Sequence, residues 1–531
     1  MRYLLHDVFI EKADCCPEKT AIVLEDGSQY SYLDLYTYSN KYGNLLLSLK
    51  DDIKRNPYVG ILSTVHYDSI ACVLGTLMVG GVYVPLDEYS PIERLLHIVK
   101  NTRMDTIAVD SNLYHYFSPL FLDTNIKRII LLNDDVPIDD NVNIINHSIV
   151  QNESSYKIPL YNQVSDDLAY ILHSSGSTGV PKGIMLTHRN ARTFVDWMKK
   201  EFGICEKDRV MARAPFKFDL SVFDIFCTLS GGATLICYDW NKKREGNQKH
   251  LDYVKLMERE KATILYTTPS TYITLLNKGD LANAQLSLRT IMYAGEPFPV
   301  PQLRKLRKAL PCVKIANIYG PTETNIVTYY WINCLPQDDN ESIPLGNVVD
   351  DTEIIVVSED GRKICSPMEI GELWCRGGTV TKGYLGMEEK TRECLVLSPF
   401  HSFPVYFWRT GDFGYRDYTG CLHYRGRKDH MIKVKGYRIE IGEVEKAVSS
   451  YSLIDEFAVV AKSDPSYGNR LYCYFSSLKN ISVEELKKHL SLKIPDYMIP
   501  YRFIQLSCLP KTSSGKIDRV LLRDNYKNEN D

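Results

Sequence analysis

The period of the hydrophobic pattern changes along the chain. Through about the first 400 residues, short apolar runs of strand character alternate with segments of helical period, which argues for α/β architecture with mostly parallel sheets. The runs "TAIVLED" (20–26), "PYVGILS" (57–63), "DTIAVD" (105–110), "RIILLND" (128–134), "ATILYTT" (262–268) and "LRTIMYAGE" (288–296) read as strands, and "PQLRKLRKAL" (301–310) as a helix between them. Residues 134–165 are polar, rich in Asn and Asp and weakly periodic, and read as a surface excursion. From about Gly371 the texture shifts to short strands and turns, as in "GELWCRGG" and "YFWRTGDFGYRDYTGCLHYRGRKDH". The last hundred or so residues have the pattern of a small α+β domain. There "EIGEVEKAVSSY" and "SVEELKKHLSLKI" read as helices, "DEFAVVAKS" and "RLYCYFSSL" as strands, and Ser482 and Glu485 stand in capping-box spacing. No internal repeat or low-complexity tract interrupts this order.

Ile70–Leu86, "IACVLGTLMVGGVYVPL", carries no charge and reaches the lower edge of membrane-spanning length. Gly80-Gly81 divides it, so a buried helix, a turn and a buried strand is the expectation, with no membrane span. Composition agrees with a globular chain of two to four folding units: 531 residues, 44% hydrophobic, 24% charged. A net charge of −3 gives no electrostatic case for nucleic acid. The 14 cysteines are scattered without a C-x-x-C, and no H-E-x-x-H occurs, so neither zinc nor dithiol chemistry is favoured. Early charge in "MRYLLHDVFIEKAD" argues against a secretory signal, and a cytoplasmic protein with reduced thiols is expected.

One stretch looks built for phosphate. "HSSGSTGVPKG" (173–183) follows the strand candidate "DLAYIL" and precedes the helix candidate "THRNARTFVDWMKK". A glycine-rich turn between strand and helix brings backbone N–H groups close to phosphate oxygens. The hydroxyls of Ser174, Ser175, Ser177 and Thr178 add donors, Gly176 and Gly179 supply flexibility, and Lys182 brings a positive charge. The Walker A spacing is not met, because Lys182 is followed by Gly183 rather than a hydroxyl residue.

Further motifs follow in order: "NIYGPTET" (317–324), "GELWCRGGTVTKGYLG" (371–386), "WRTGDFG" (408–414), "GRKDHMIKVKGYRIEIGEVE" (426–445) and "LPKTSSGKIDR" (509–519), with "LMVGGVYVPLD" (77–87) ahead of them. Together they closely resemble the core motifs of the adenylate-forming superfamily: acyl-CoA synthetases, luciferases and the adenylation domains of nonribosomal peptide synthetases. The resemblance runs from "YSYLDL" (30–35) nearly to the C-terminus. It implies an AMP-forming ligase that uses ATP and Mg2+. A substrate carboxylate attacks the α-phosphate, pyrophosphate leaves, and the acyl group passes from AMP to a thiol. The implied fold is α/β: an N-terminal core of sandwiched α/β subdomains plus a β-rich subdomain (1–428), and a small mobile α+β C-terminal domain (429–531) with its hinge at Asp429.

The resemblance also implies roles for individual residues. The loop with Ser174, Ser175, Gly176, Ser177, Thr178, Gly179 and Lys182 holds the β- and γ-phosphates. Thr322 faces the α-phosphate and Glu323 binds magnesium. Asp412, with Arg427, accepts the ribose hydroxyls. Gly295, Glu296 and Pro297, with Asn317, Ile318, Tyr319 and Gly320, wall the adenine. Lys516 bridges the substrate carboxylate and the adenylate, a task suited to a permanent cation. Because it lies on the small domain, the site must be assembled by domain closure. "KVKGYR" (433–438) resembles the loop lining the pantetheine tunnel in the thioester-forming state.

"FKFDLSVFDIF" (216–226) bears on the substrate. Asp219 takes the place of the aspartate that grips the α-ammonium of an amino acid in peptide-synthetase adenylation domains; the competing reading is a helix N-cap. The other pocket positions project onto Leu220, Phe223, Thr267, Met292, Ala294, Ile318, Ile326 and Val327, with Tyr266 as an alternative to Thr267. This apolar lining offers no counter-charge, which favours a small hydrophobic amino acid. Asp219, Leu220 and Phe223 are similar to the pocket of prolyl-adenylating enzymes of pyrrole- and anatoxin-type pathways. L-proline is therefore expected, with valine, alanine, pipecolate or methylproline as alternatives and an acyl- or aryl-CoA ligase as the rival reading. The chain contains no carrier-type "LGGxS" and no condensation-type H-H-x-x-x-D-G. The expectation is a stand-alone enzyme that loads the phosphopantetheine arm of a separate carrier protein in secondary-metabolite, antibiotic or toxin biosynthesis.

Overall fold

The computed structural model describes residues 3–49, 56–122, 124–136, 143–159, 162–175, 181–339, 341–427, 431–434, 436–464, 468–477, 479–511 and 517–524. Among these, two large sheets carry the N-terminal part. The first has seven strands, with Thr106–Asp110, Tyr58–Leu62, Val82–Pro85 and Leu168–Ser174 adjacent and parallel in its middle. The second has nine, with Lys314–Tyr319, Thr290–Tyr293, Ile264–Thr267 and Arg209–Met211 side by side and parallel. Alternation along each strand sends successive side chains to opposite faces. Thus Val59 and Ile61 join a central core, while Leu62 joins the outer one. The central core draws the inner faces of both sheets onto helices Tyr32–Ser48, Tyr67–Met78 and His188–Phe202. Helices Ile92–Thr102 and Ser111–Leu122 cover the outer face of the first sheet, and Gln248–Arg259 and Val300–Ala309 that of the second.

The uncharged run resolves as expected. Tyr67–Met78 is a helix buried almost all round, Gly80 turns the chain at φ +76°, and Val82–Pro85 is a fully buried strand. Its lack of charge reflects burial between two sheets, and no helix among the described residues is long and apolar enough to cross a membrane. Two expectations need correction. The polar segment 134–165 is not all surface: Asn143–Ile145 adds an edge strand to the first sheet, with Ile144 and Ile145 buried. The glycine-rich loop joins two strands, not a strand and a helix, because Lys182–Thr187 pairs antiparallel with Leu168–Ser174 before Thr187 caps helix His188–Phe202. That helix therefore begins after the second strand, at His188, and not directly after residue 183.

A five-stranded antiparallel sheet (Thr352–Val357, Gly371–Gly377, Leu395–Leu397, Tyr406–Arg416, Leu422–Arg427) supplies the β-rich part. Beyond it, the hairpin Met431–Val434/Tyr437–Glu440 and the sheet Glu456–Asp464/Gly468–Ser476/Arg502–Leu506 share a separate core with helices Ile441–Ser449 and Val483–Ser491.

Candidate active site

Parallel strands deliver their C-terminal ends to one edge of a sheet, the usual place for a ligand in α/β architecture. Here Thr267 ends one strand and Thr268 follows it, Ala294 and Gly295 follow the next, and Gly320, Pro321 and Thr322 follow the third. All of them line a cavity of about 300 Å³. Asp219 and Leu220 close one side, Asp412 and Arg427 come from the β-rich part, and Lys433, Gly436 and Arg438 come from the C-terminal hairpin.

Asp219 sits at the N-cap position of a short helix yet makes no capping hydrogen bond, so the helix-cap reading lacks its defining contact. Burial pushes its carboxyl up to about 6, against the opposing pull of the Lys433 ammonium. Leu220, Thr267, Ala294 and Ile326 line the cavity beside it, and so does Tyr266, so both candidates for that position reach the wall. Phe223, Met292 and Ile318 lie fully buried in the central core just behind. Val327 does not join them; it packs into the core of the β-rich part with Leu345 and Ile354.

Glu323 is 1% exposed, yet its carboxyl is held below the usual range, because the Arg438 guanidinium and the Tyr384 hydroxyl outweigh burial. Arg438 Nη1 donates to both carboxylate oxygens at 2.8 Å, and Tyr384 Oη donates to Oε1 at 2.7 Å. Lys182 lies 5.9 Å above the Tyr384 ring, its pKa lowered by burial and by Arg438, with Glu440 Oε1 3.7 Å from its Nζ. Ser175 Oγ donates to the Arg438 carbonyl at 2.8 Å, and Ser174 Oγ is buried without a hydrogen-bond partner among the described residues. Gly176, Ser177, Thr178 and Gly179, like Asp429 and Lys516, lie outside the described residues.

Asp412 is 5% exposed and accepts from Tyr319 Oη at 2.6 Å and Arg427 Nη1 at 2.9 Å. That fixes the carboxylate while each oxygen keeps a lone pair for a further donor. Glu296 accepts from the backbone N–H of Ser270 at 2.9 Å and of Gly436 at 3.4 Å, and burial raises its pKa. Pro297 follows it, and Asn317 Nδ2 donates to the Pro344 carbonyl at 2.8 Å. Of the projected residues, Asp219, Leu220, Thr267, Ala294, Gly295, Gly320, Thr322, Ile326, Asp412 and Arg427 line this cavity, whereas Phe223, Met292, Ile318 and Val327 lie in the cores. The sequence projection missed Tyr384 and Arg438 as the partners of Glu323. Both stand in quoted motifs, "TKGYLG" and "KVKGYR", but nothing in sequence spacing pairs either with a residue far away in the chain.

The ionised Glu323, next in sequence to the cavity residue Thr322 and hydrogen-bonded by Tyr384 and Arg438, suits a divalent cation. Such an ion would exchange with the guanidinium for the same two oxygens.

Comparison with known proteins reaches the same place. The model of the AMP-binding enzyme family matches residues 9–385, and that of the AMP-binding enzyme C-terminal domain matches residues 443–516. An L-proline--[L-prolyl-carrier protein] ligase of Pseudomonas fluorescens is 32% identical over 98% of both chains. Bacitracin synthase 1 of Bacillus licheniformis is 31% identical over 98% of this chain, which spans 9% of that much longer protein. The solved adenylation domain AlmE of Vibrio cholerae, in complex with glycyl-adenosine-5'-phosphate, superposes with a TM-score of 0.82 at 21% identity over 98% of this chain and 97% of that one. That last likeness concerns the fold.

Proposed function

The chain belongs to the AMP-binding enzyme family, and on that premise we propose that it activates L-proline as prolyl-AMP and passes the prolyl group to the phosphopantetheine thiol of a carrier protein. Asp219 carries this reading. Asp219 is buried beside Leu220, Tyr266, Ala294 and Ile326, and burial raises its carboxyl despite the pull of Lys433, so a further cationic partner is favoured there, and an amino acid's ammonium supplies one. The near-equal length of the prolyl-carrier-protein ligase at 32% identity supports proline as the amino acid and a carrier as the acceptor.

In this reading, Asp219 anchors the substrate nitrogen, and Leu220, Ala294 and Ile326 enclose the ring. A carboxylate oxygen then attacks the α-phosphorus of ATP, the bond to the bridging oxygen breaks, and pyrophosphate leaves with the electron pair. Ser174, Ser175 and Lys182 face the departing phosphates, Thr322 the α-phosphate, and the Asp412–Arg427 pair holds the ribose. Lys516 screens the approach of carboxylate to phosphate, two groups that repel in water. Glu323 would hold Mg2+, which supplies charge stabilisation to the polyphosphate. The division into a core ending near 428 and a C-terminal unit beginning near Asp429 lets Lys516 and the 433–438 loop serve the same cavity in turn.

The discriminating experiment supplies ATP, Mg2+ and radiolabelled proline with either a phosphopantetheinylated carrier protein or free CoA. The reading predicts label on the carrier. Transfer to CoA alone would instead favour the acyl-CoA ligase reading.

A further inference from the structure

One short segment ties Glu323 to the strand that returns from the glycine-rich loop. Residues 381–385 run along strand Lys182–Thr187: Met185 N–H donates to the Gly383 carbonyl at 3.0 Å, Lys382 N–H to the Met185 carbonyl at 3.2 Å, and Leu385 N–H to the Gly183 carbonyl at 2.8 Å. Ile184 and Tyr384 pair as an antiparallel bridge. Where the segment starts, Thr381 N–H donates to the Glu323 carbonyl at 2.8 Å, and Thr381 Oγ1 donates to the Met185 carbonyl at 2.6 Å. Tyr384 stands in the middle of this strap. It is 4% exposed, its N–H donates to Thr391 Oγ1 at 2.9 Å, and its ring packs edge-on against Trp408 with centroids 5.4 Å apart. From there its Oη donates to Glu323 Oε1 at 2.7 Å, and its ring lies beneath the Lys182 ammonium. The hydroxyl therefore serves the carboxylate, and the ring serves the ammonium.

Resting on the adenylation reading above, we propose that Tyr384 is a positioning residue that presets Glu323 for the divalent cation. A glutamate side chain left to itself samples several rotamers, and ordering it costs entropy each time an ion binds. A charge-assisted hydrogen bond from a buried, immobile hydroxyl meets that cost in the folded protein and fixes the plane of the carboxylate. Because residues 381–385 are bonded both to the Glu323 backbone and to the strand that carries Lys182, the carboxylate is held at a set place relative to that ammonium. Metal and phosphate positions are thus registered by one strap. All three side chains lie within the residues that match the AMP-binding enzyme model, so this contact draws nothing from the C-terminal unit that supplies Arg438. Hydrogen-bond partners behind a ligating carboxylate typically govern metal affinity by about 10–100-fold, which sets the scale of the expected effect.

Calorimetry on the full chain, without amino acid, compares binding of ATP alone with binding of ATP plus Mg2+. In the wild type Mg2+ should tighten ATP binding. In Tyr384→Phe that gain should shrink about tenfold or more, whereas the affinity for metal-free ATP should hold, because the ring beneath Lys182 remains. In a Glu323→Gln background the same substitution should leave the effect of Mg2+ unchanged, since the carboxylate it acts through is gone. An undiminished gain in folded Tyr384→Phe would overturn the proposal, as would an equal loss of affinity for metal-free ATP. So would a wild type indifferent to Mg2+, or a tenfold effect of Tyr384→Phe that persists in Glu323→Gln. No arm involves proline, so failure of the adenylation reading appears separately, as a wild type that binds ATP in neither form.

Discussion

At the scale of single residues, the account rests on the charge of Asp219. With its carboxyl near pH 6, the free enzyme loses its ammonium-binding form as pH falls through that value. We expect kcat/KM for proline-dependent pyrophosphate exchange to fall about tenfold per pH unit below about 6. Burial also raises the Glu88 carboxyl, to about 7, on the same cavity wall, so Glu88→Gln should retain the acid limb while Asp219→Asn lowers activity at all pH values and flattens it. Lys516→Ala should reduce exchange by about a hundredfold or more, with an unchanged melting temperature. Near-normal exchange in that variant would remove Lys516 from the reaction. Motif position brings Asp219, Asp412 and Arg427 to one cavity because each stands in a short local string, whereas Lys516 lies outside the described residues. Motif position failed at Val327, which faces a different core, and at the partners of Glu323. The Arg438 contact reaches back 115 positions, and Val327 sits among Leu345 and Ile354.

Local period carried the elements. Every apolar run quoted above contains a strand, since alternation and β-branched content act on neighbouring residues. Strand order was not legible: Thr20–Val23 pairs with Thr234–Ile236 through Ile22 and Leu235, a contact between distant segments with no local trace. The short strand Lys182–Thr187 was also hidden, because Pro181 and Gly183 carry turn character although this edge strand tolerates them. Helix packing offers its own test. Gly75 lets helix Tyr67–Met78 approach helix Tyr32–Ser48 so closely that an added Cβ would sit 2.5 Å from the Ser39 carbonyl oxygen. Gly75→Ala should therefore destabilise the protein by about 1–3 kcal/mol despite the higher helix propensity of alanine, visible as a lower melting temperature.

At the scale of the molecule, fold class followed from composition and alternation, whereas the seating of one unit on the other did not. The hairpin of the C-terminal unit meets the cavity through Arg438, Glu440 and Gly436, yet the unit behind it keeps a core of its own. A chain ending at 427 should thus retain a cooperative thermal transition and bind ATP, but lose exchange, because Lys516 is removed. The central claim concerns what enters the pocket beside Asp219. It is tested most directly by amino-acid-dependent ATP–pyrophosphate exchange across the proteinogenic amino acids and pipecolate. The account predicts that L-proline gives the highest rate, with weaker signals from its ring homologue and from valine or alanine. Exchange driven by a charged or amide side chain, with none from proline, would contradict it.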